Sequence, residues 1–271
     1  MSTIESFQIE IPQLKRNRIV WVYLPDGYDQ GDGFPVIYMH DGQNCFFDRL
    51  ATFGRSWRVG ETMDDIASRF GYKAIVVAVE NDDRFRLSEY SPWKINFFAF
   101  KEKLTIAKSH ANRGGEGEAY TEFFVKTLKN EIDSRYKTER IRQATAIVGS
   151  SMGGLISCYA ALKYPKVYSH AGLFSTYTLF NQAAFDFFIR RSALTEPLNA
   201  FIYCGGNEAD DFVSSKQMTN SSSKLYRQLT RLGVNCRLVF DSPRPHNEES
   251  WGVHFYDFAL AFLRDYYSQE Q

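Results

Sequence analysis

Gly149-Ser150-Ser151-Met152-Gly153-Gly154 is the stretch that decides the fold of this chain. The apolar run Thr145-Ala146-Ile147-Val148 leads into it, and Leu155-Ile156-Ser157-Cys158-Tyr159-Ala160-Ala161-Leu162 leads out with a helical pattern. Gly149, Ser151 and Gly153 satisfy G-x-S-x-G, the nucleophile elbow of serine hydrolases. Reversing from strand to helix within a few residues forces the central residue into a strained backbone conformation. Side chains two places before and two after would collide with strand and helix, so glycine is needed at both. The turn then stands the Ser151 hydroxyl at the end of a sheet. It also points the N–H of Met152, at the helix start, to where an oxyanion would form. A Gly/Ser-rich turn can equally do no more than join two elements. The strand before it, the helix after it and the extra Gly154 favour the catalytic reading.

The rest of the chain alternates strand and helix around this point. Phe7, Ile9 and Ile11 alternate with polar residues, and Ile19-Val20-Trp21-Val22-Tyr23-Leu24 follows a basic turn, which predicts an opening strand pair over 6–25. Pro35-Val36-Ile37-Tyr38-Met39 is a short buried strand running into His40-Asp41-Gly42-Gln43-Asn44. Gly42 lets that loop turn so that the N–H of Gln43 faces the elbow as a second oxyanion donor, with His40 and Asp41 bracing the loop. A helix is expected over 59–70 and a central strand over 74–79, where the apolar run is continuous. The segment 81–119 reads as a long irregular lid or binding insertion. Arg86, Trp93 and the aromatic patch Phe97, Phe98 and Phe100 lie within it, and Arg86 and Trp93 are candidate substrate contacts. Helical spacing marks 120–136, 180–191 and a segment through Leu225, Leu229 and Leu232. Strands fall at 171–175, 199–204 and 236–240, and Trp251, Phe255, Phe258 and Phe262 line a closing helix. This alternation predicts one α/β domain spanning 1–271, with a mostly parallel sheet covered by helices on both faces.

A serine hydroxyl is a poor nucleophile near neutral pH, so Ser151 needs a histidine base and an acid to orient that base. In the α/β-hydrolase fold these follow the serine in the order acid, then histidine. His40 and His110 precede Ser151, and His170 precedes any acid placed after the next strand. His246 lies in a loop at the end of the last strand, where catalytic residues of such sheets gather, whereas His254 falls inside the closing helix. Glu208, Asp210 and Asp211 all follow the strand 199–204; Glu208 is nearest its end, and Asp241 is an outlying candidate.

Composition bounds the partners. Among 271 residues, 32 Lys and Arg balance 32 Asp and Glu, so there is no electrostatic case for nucleic acid or an anionic membrane. The start of the chain lacks a signal-peptide pattern, and no apolar stretch approaches the roughly 18 residues of a membrane span. Four scattered cysteines without metal-ligand spacing predict a cytoplasmic protein with no structural disulfide, metal or cofactor. Oligomeric state is not legible.

With these residues assembled, the sequence resembles the esterase D-like family of α/β-hydrolases, which includes feruloyl and acetylxylan esterases, enterochelin-type esterases, S-formylglutathione hydrolases and mycolyltransferases. The resemblance covers nearly the whole chain. It rests on Trp21-Val22-Tyr23-Leu24-Pro25, His40-Asp41-Gly42-Gln43-Asn44, Glu89-Tyr90-Ser91-Pro92, the elbow, Cys204-Gly205-Gly206-Asn207-Glu208, and His246-Asn247-Glu248 with Trp251. It implies Ser151 as nucleophile, Glu208 as acid, His246 as base, and an oxyanion hole from the N–H groups of Gln43 and Met152. Many relatives carry Asp where Glu208 stands. The expected activity is hydrolysis of a small-molecule carboxylic ester, of short acyl or aryl type, through an acyl-enzyme. The alternatives are an acyltransferase on the same site and a non-catalytic binding module of the same fold.

Overall fold

A computed structural model describes residues 1–96, 113–209 and 213–269. Eight strands form one sheet: β1 (Thr3–Ile11), β2 (Arg16–Leu24), β3 (Val36–His40), β4 (Ile75–Val79), β5 (Thr145–Ser150), β6 (His170–Phe174), β7 (Asn199–Asn207) and β8 (Asn235–Pro245). Their spatial order is β1-β2-β4-β3-β5-β6-β7-β8. β1 and β2 pair antiparallel, as do β2 and β4; all other pairs are parallel. The helices are α1 (Val59–Phe70), α2 (117–135), α3 (Met152–Lys163), α4 (Gln182–Arg191), α5 (Ser215–Leu232) and α6 (Glu248–Tyr267). Strands β3, β4 and β5 are buried along their whole length, as continuous apolar runs require when both faces are covered.

The period of two along each strand divides the core. Val36, Tyr38, Val77 and Ile147 face helices α2 to α5, while Ile37, Met39, Val76 and Val148 face α1 and α6. Helix α3 is buried on every side from Met152 to Leu162, so the element that follows the elbow is held rigidly.

The structure departs from the sequence expectations at several element ends. Helix α5 begins at Ser215, ten residues before Leu225, behind a capping box between Ser214 and Gln217. Strand β8 continues past Phe240 to Pro245, and two prolines are tolerated because it is an edge strand. The central turn of α2, Phe123–Leu128, is a π-helix. Helix α4 starts at Gln182, after a 3₁₀ turn over Thr178–Asn181.

The segment expected to be irregular over 81–119 is tied to β2 at Glu89 and Glu116. A helical turn at Arg86–Glu89 opens it, and α2 already begins at Gly117. Fully buried Glu89 accepts hydrogen bonds from Arg16 at 2.8 Å and Arg18 at 2.5 Å, and Arg16 also binds Glu116 at 2.6 Å. Phe97, Phe98 and Phe100, with the rest of 97–112, lie outside the described residues, as do Asp210 and Asp211. All four cysteines are free, and three are buried. Among the described residues no helix is long and apolar enough to cross a membrane.

Candidate active site

The elbow has the strain its glycines predict. Ser151 adopts φ 56° and ψ −120° between β5 and α3, a conformation costly for a residue with a side chain. Its N–H donates to Phe174 O at 2.8 Å and its carbonyl accepts from Tyr177 N at 3.0 Å, which pins the turn on the end of β6. A Cβ at Gly149 would lie 2.4 Å from Gly153 O, so the two glycines exist to let strand and helix backbones touch. Met152 is the first residue of α3, where main-chain N–H groups have no partner within the helix.

The loop after β3 runs directly against this turn. A Cβ on Gly153 would lie 3.4 Å from Asp41 Oδ2 and 3.5 Å from His40 Cβ. Gly42 packs so tightly that a Cβ there would come within 2.6 Å of Ala78 O. Gln43 occupies the middle of the single 3₁₀ turn Gly42–Asn44, and its side-chain oxygen accepts from Asn81 N at 3.1 Å. Asp41, in the left-handed region at φ 57°, holds the loop in place. Its carboxylate accepts from Arg86 Nε and Nη2, both at 2.8 Å, and from Asn81 Nδ2 at 2.6 Å. Its N–H donates to Tyr90 OH at 3.1 Å. Burial opposes the ionised form of Asp41, but the facing Arg86 guanidinium outweighs it and holds the carboxyl below its ordinary range. Burial pushes neighbouring His40 down to about 3, so this histidine stays neutral, with Nδ1 3.2 Å from Tyr120 OH.

Glu208 and His246 meet across β7 and β8. Glu208 is fully buried, and its Oε2 is hydrogen-bonded to His246 Nδ1. Its Oε1 accepts from Gly205 N at 2.5 Å and Ser175 Oγ at 2.6 Å. Burial works against this carboxylate, yet the His246 and Ser175 side chains hold it below the usual range. The imidazole of His246 meets the Trp251 ring edge-on at 4.9 Å between centroids. Two residues on, Glu248 is buried and accepts from Asn44 Nδ2 at 3.0 Å, joining the histidine segment to the loop that carries Gln43.

The remaining candidates have other partners. Asp241 and His254 pair with each other at 2.9 Å, and His254 stacks on Tyr203. Arg86 commits two of its nitrogens to Asp41, and Trp93 packs against Tyr159, Phe185 and Phe188. Both are the candidate substrate contacts of the sequence reading. Within the protein, Arg86 braces the loop and Trp93 anchors the segment leading to α2. Sequence reading overlooked Ser175; the only trace it leaves is a polar residue closing an apolar strand. Among the described residues no three His, Cys, Asp or Glu side chains converge where a metal ion could be held.

Comparison with known proteins agrees with this fold. The solved structures most alike in fold include a ferulic acid esterase, with TM-score 0.72 and 16% identity over 98% of this chain and 99% of that one. An IroE-like serine hydrolase from Shewanella oneidensis aligns with TM-score 0.78 and 20% identity, covering 97% of this chain and 80% of that one. An enterochelin esterase from Shigella flexneri aligns with TM-score 0.73 and 14% identity over 96% of this chain, which spans 57% of that longer protein. By sequence, the uncharacterised protein YbbA of Bacillus subtilis (strain 168) is 24% identical over 220 residues, 80% of each chain. The family model described as "Putative esterase" matches residues 11–234, most of the sheet and the elbow with it, and the chain belongs to that esterase family.

Proposed function

We propose that this protein is a serine esterase that cleaves carboxylic esters through an acyl-enzyme on Ser151. The observation that carries the reading is the strained backbone of Ser151 at the junction of β5 and α3, beside the Asp41–Asn44 loop. His246 turns Nδ1 to Glu208, which leaves Nε2 as the proton acceptor for the Ser151 hydroxyl. As Oγ attacks the ester carbonyl, its proton passes to Nε2, and the N–H groups of Gln43 and Met152 receive the oxyanion. The imidazolium returns that proton to the departing alcohol, leaving an acyl group on Ser151. Water, with His246 again as base, attacks the acyl group and releases the acid. Glu208 stays ionised throughout and fixes the tautomer. The similarity to a ferulic acid esterase supports an aryl or short acyl ester as substrate. The balanced charge of the chain gives no general attraction for a highly charged substrate.

The test is hydrolysis of p-nitrophenyl esters from acetate to octanoate, with a feruloyl ester, by wild type and Ser151→Ala. The expected result is turnover by wild type, best for short acyl or aryl esters, and none by the variant. Turnover surviving in Ser151→Ala contradicts the assignment, and product that forms only with an added alcohol acceptor indicates a transferase.

A further inference from the structure

The triad acid is held by a chain of donors that begins on the helix following the triad base. Trp251 Nε1 donates to Ser175 Oγ at 2.9 Å, and Ser175 Oγ donates to Glu208 Oε1 at 2.6 Å. The direction of this chain is fixed by chemistry. An indole N–H can only donate, so the Ser175 oxygen must accept from it and turn its single proton to Glu208. All three side chains are buried, so no solvent competes for these groups. Gly205 N adds a second donor to the same carboxylate oxygen, leaving Oε2 for His246 Nδ1. Trp251 also sets the imidazole directly, through its edge-on contact with the His246 ring.

Ser175 occupies this place at a cost. It is a buried, non-glycine residue with φ 45°, at the turn that follows β6. A backbone in that region favours glycine, so the side chain there is retained for what it contacts. Its contacts are the acid and the tryptophan.

Resting on the esterase reading above, we infer that Ser175 and Trp251 are positioning residues that hold Glu208 and His246 in register for proton transfer. The hydrogen bonds their side chains donate go to Glu208 and, from Trp251, to Ser175. Removing either link lets the carboxylate rotate or take up a different partner, and the imidazole loses its fixed tautomer and tilt. The loss falls on the chemical step and not on substrate binding.

The experiment compares p-nitrophenyl acetate hydrolysis by wild type, Ser175→Gly, Trp251→Phe, the double variant and Ser151→Ala, with thermal unfolding of each. Glycine removes the hydroxyl while relieving the backbone, and phenylalanine keeps a ring against His246 while deleting the N–H. Ser175→Gly is expected to lose about tenfold in kcat, the scale of one hydrogen bond to a charged group, and Trp251→Phe, which deletes a bond to a neutral hydroxyl, about threefold to tenfold, each with KM within about twofold. Because the Trp251 N–H acts through Ser175 and phenylalanine keeps a ring against His246, the double variant is expected to fall no further than the weaker single. The far-downfield imidazole N–H proton signal of wild type is expected to shift in Ser175→Gly while its melting temperature holds. Wild-type kcat in either single variant, or losses that multiply in the double, would overturn the inference. Hydrolysis that persists in Ser151→Ala overturns the esterase reading and this inference with it. Loss in Ser151→Ala alone overturns only the inference.

Discussion

Strand β6 has serine, histidine and acid side chains near each end, and the catalytic role is proposed for only one set. At its start, Ser169 Oγ lies 2.9 Å from His170 Nδ1, and His170 Nε2 lies 3.1 Å from Asp265. Beyond its other end stand Ser151, His246 and Glu208. By residue type and hydrogen bonding the first grouping is the more complete. Yet Ser169 turns its hydroxyl towards the carbonyls of Gln143 and Thr145, both at 3.2 Å, and its backbone has ordinary negative φ. No helix N-terminus follows it, since His170 continues straight into the strand. Ser151 has the strained elbow, a helix starting at the next residue and a second loop packed alongside. What separates the two ends is backbone: under the proposed function, a strained turn and a helix N-terminus offer donors for an oxyanion, which side-chain proximity does not provide.

The largest expected effects come from exchanging the serines. Ser151→Ala should lower kcat for p-nitrophenyl acetate by about 10⁴-fold or more, since a triad acts as a unit. Ser169→Ala should leave kcat within about twofold. The acids should separate next. Glu208→Gln preserves shape but no longer favours the reactive imidazole tautomer, so kcat should drop by about 10³- to 10⁴-fold in steady-state assays. Asp265→Asn, at a half-exposed carboxylate, should change stability by under about 1 kcal/mol in urea titrations and leave kcat alone.

Smaller effects sharpen the contrast in buried charge. Arg86→Ala leaves Asp41 buried without its cation and should cost about 2–3 kcal/mol of stability, less than a wholly buried pair because Arg86 keeps some exposure. The pH dependence follows from the lowered Asp41 pKa. Its stabilisation is fully present above the unfolded carboxylate pKa and is lost as pH falls through the lower folded value. In Arg86→Ala burial is left to dominate at Asp41, so the deficit of the variant relative to wild type should shrink as pH falls and the carboxyl protonates, as read by urea titrations across the acid range. Glu248 has the opposite sign. Burial, with Asp41 nearby, raises its pKa, so the ionised form weighs against the fold once pH passes the unfolded pKa. Glu248→Gln keeps the acceptor for Asn44 and should be neutral or stabilising by up to about 1 kcal/mol at neutral pH, with little gain in acid.

The catalytic end was legible in the sequence where its signals are local or ordered. Glycine spacing around Ser151 is a backbone requirement that any strand-to-helix reversal imposes. Chain order passed over the better-bonded His170, and position at strand ends then favoured His246 over His254 and Glu208 over Asp210 and Asp211. The braces were not legible, because they join distant residues: Arg86 meets Asp41 across 45 positions, and Trp251 meets Ser175 across 76. The first half of α5 escaped for another reason. Ser221 and Ser222 are buried on its inner face, and Ser221 lies 2.5 Å from Thr178 Oγ1, so the helix shows no apolar stripe there. The end of β8 was hidden by its prolines, which an edge strand accommodates.

The most direct test of the central claim is to label the protein with a fluorophosphonate and map the modified residue by peptide mass spectrometry. One adduct per chain on Ser151, accompanied by complete loss of esterase activity and absent in His246→Ala, is the predicted result. An adduct on Ser169, or an unlabelled Ser151 in a protein that still hydrolyses esters, would contradict it.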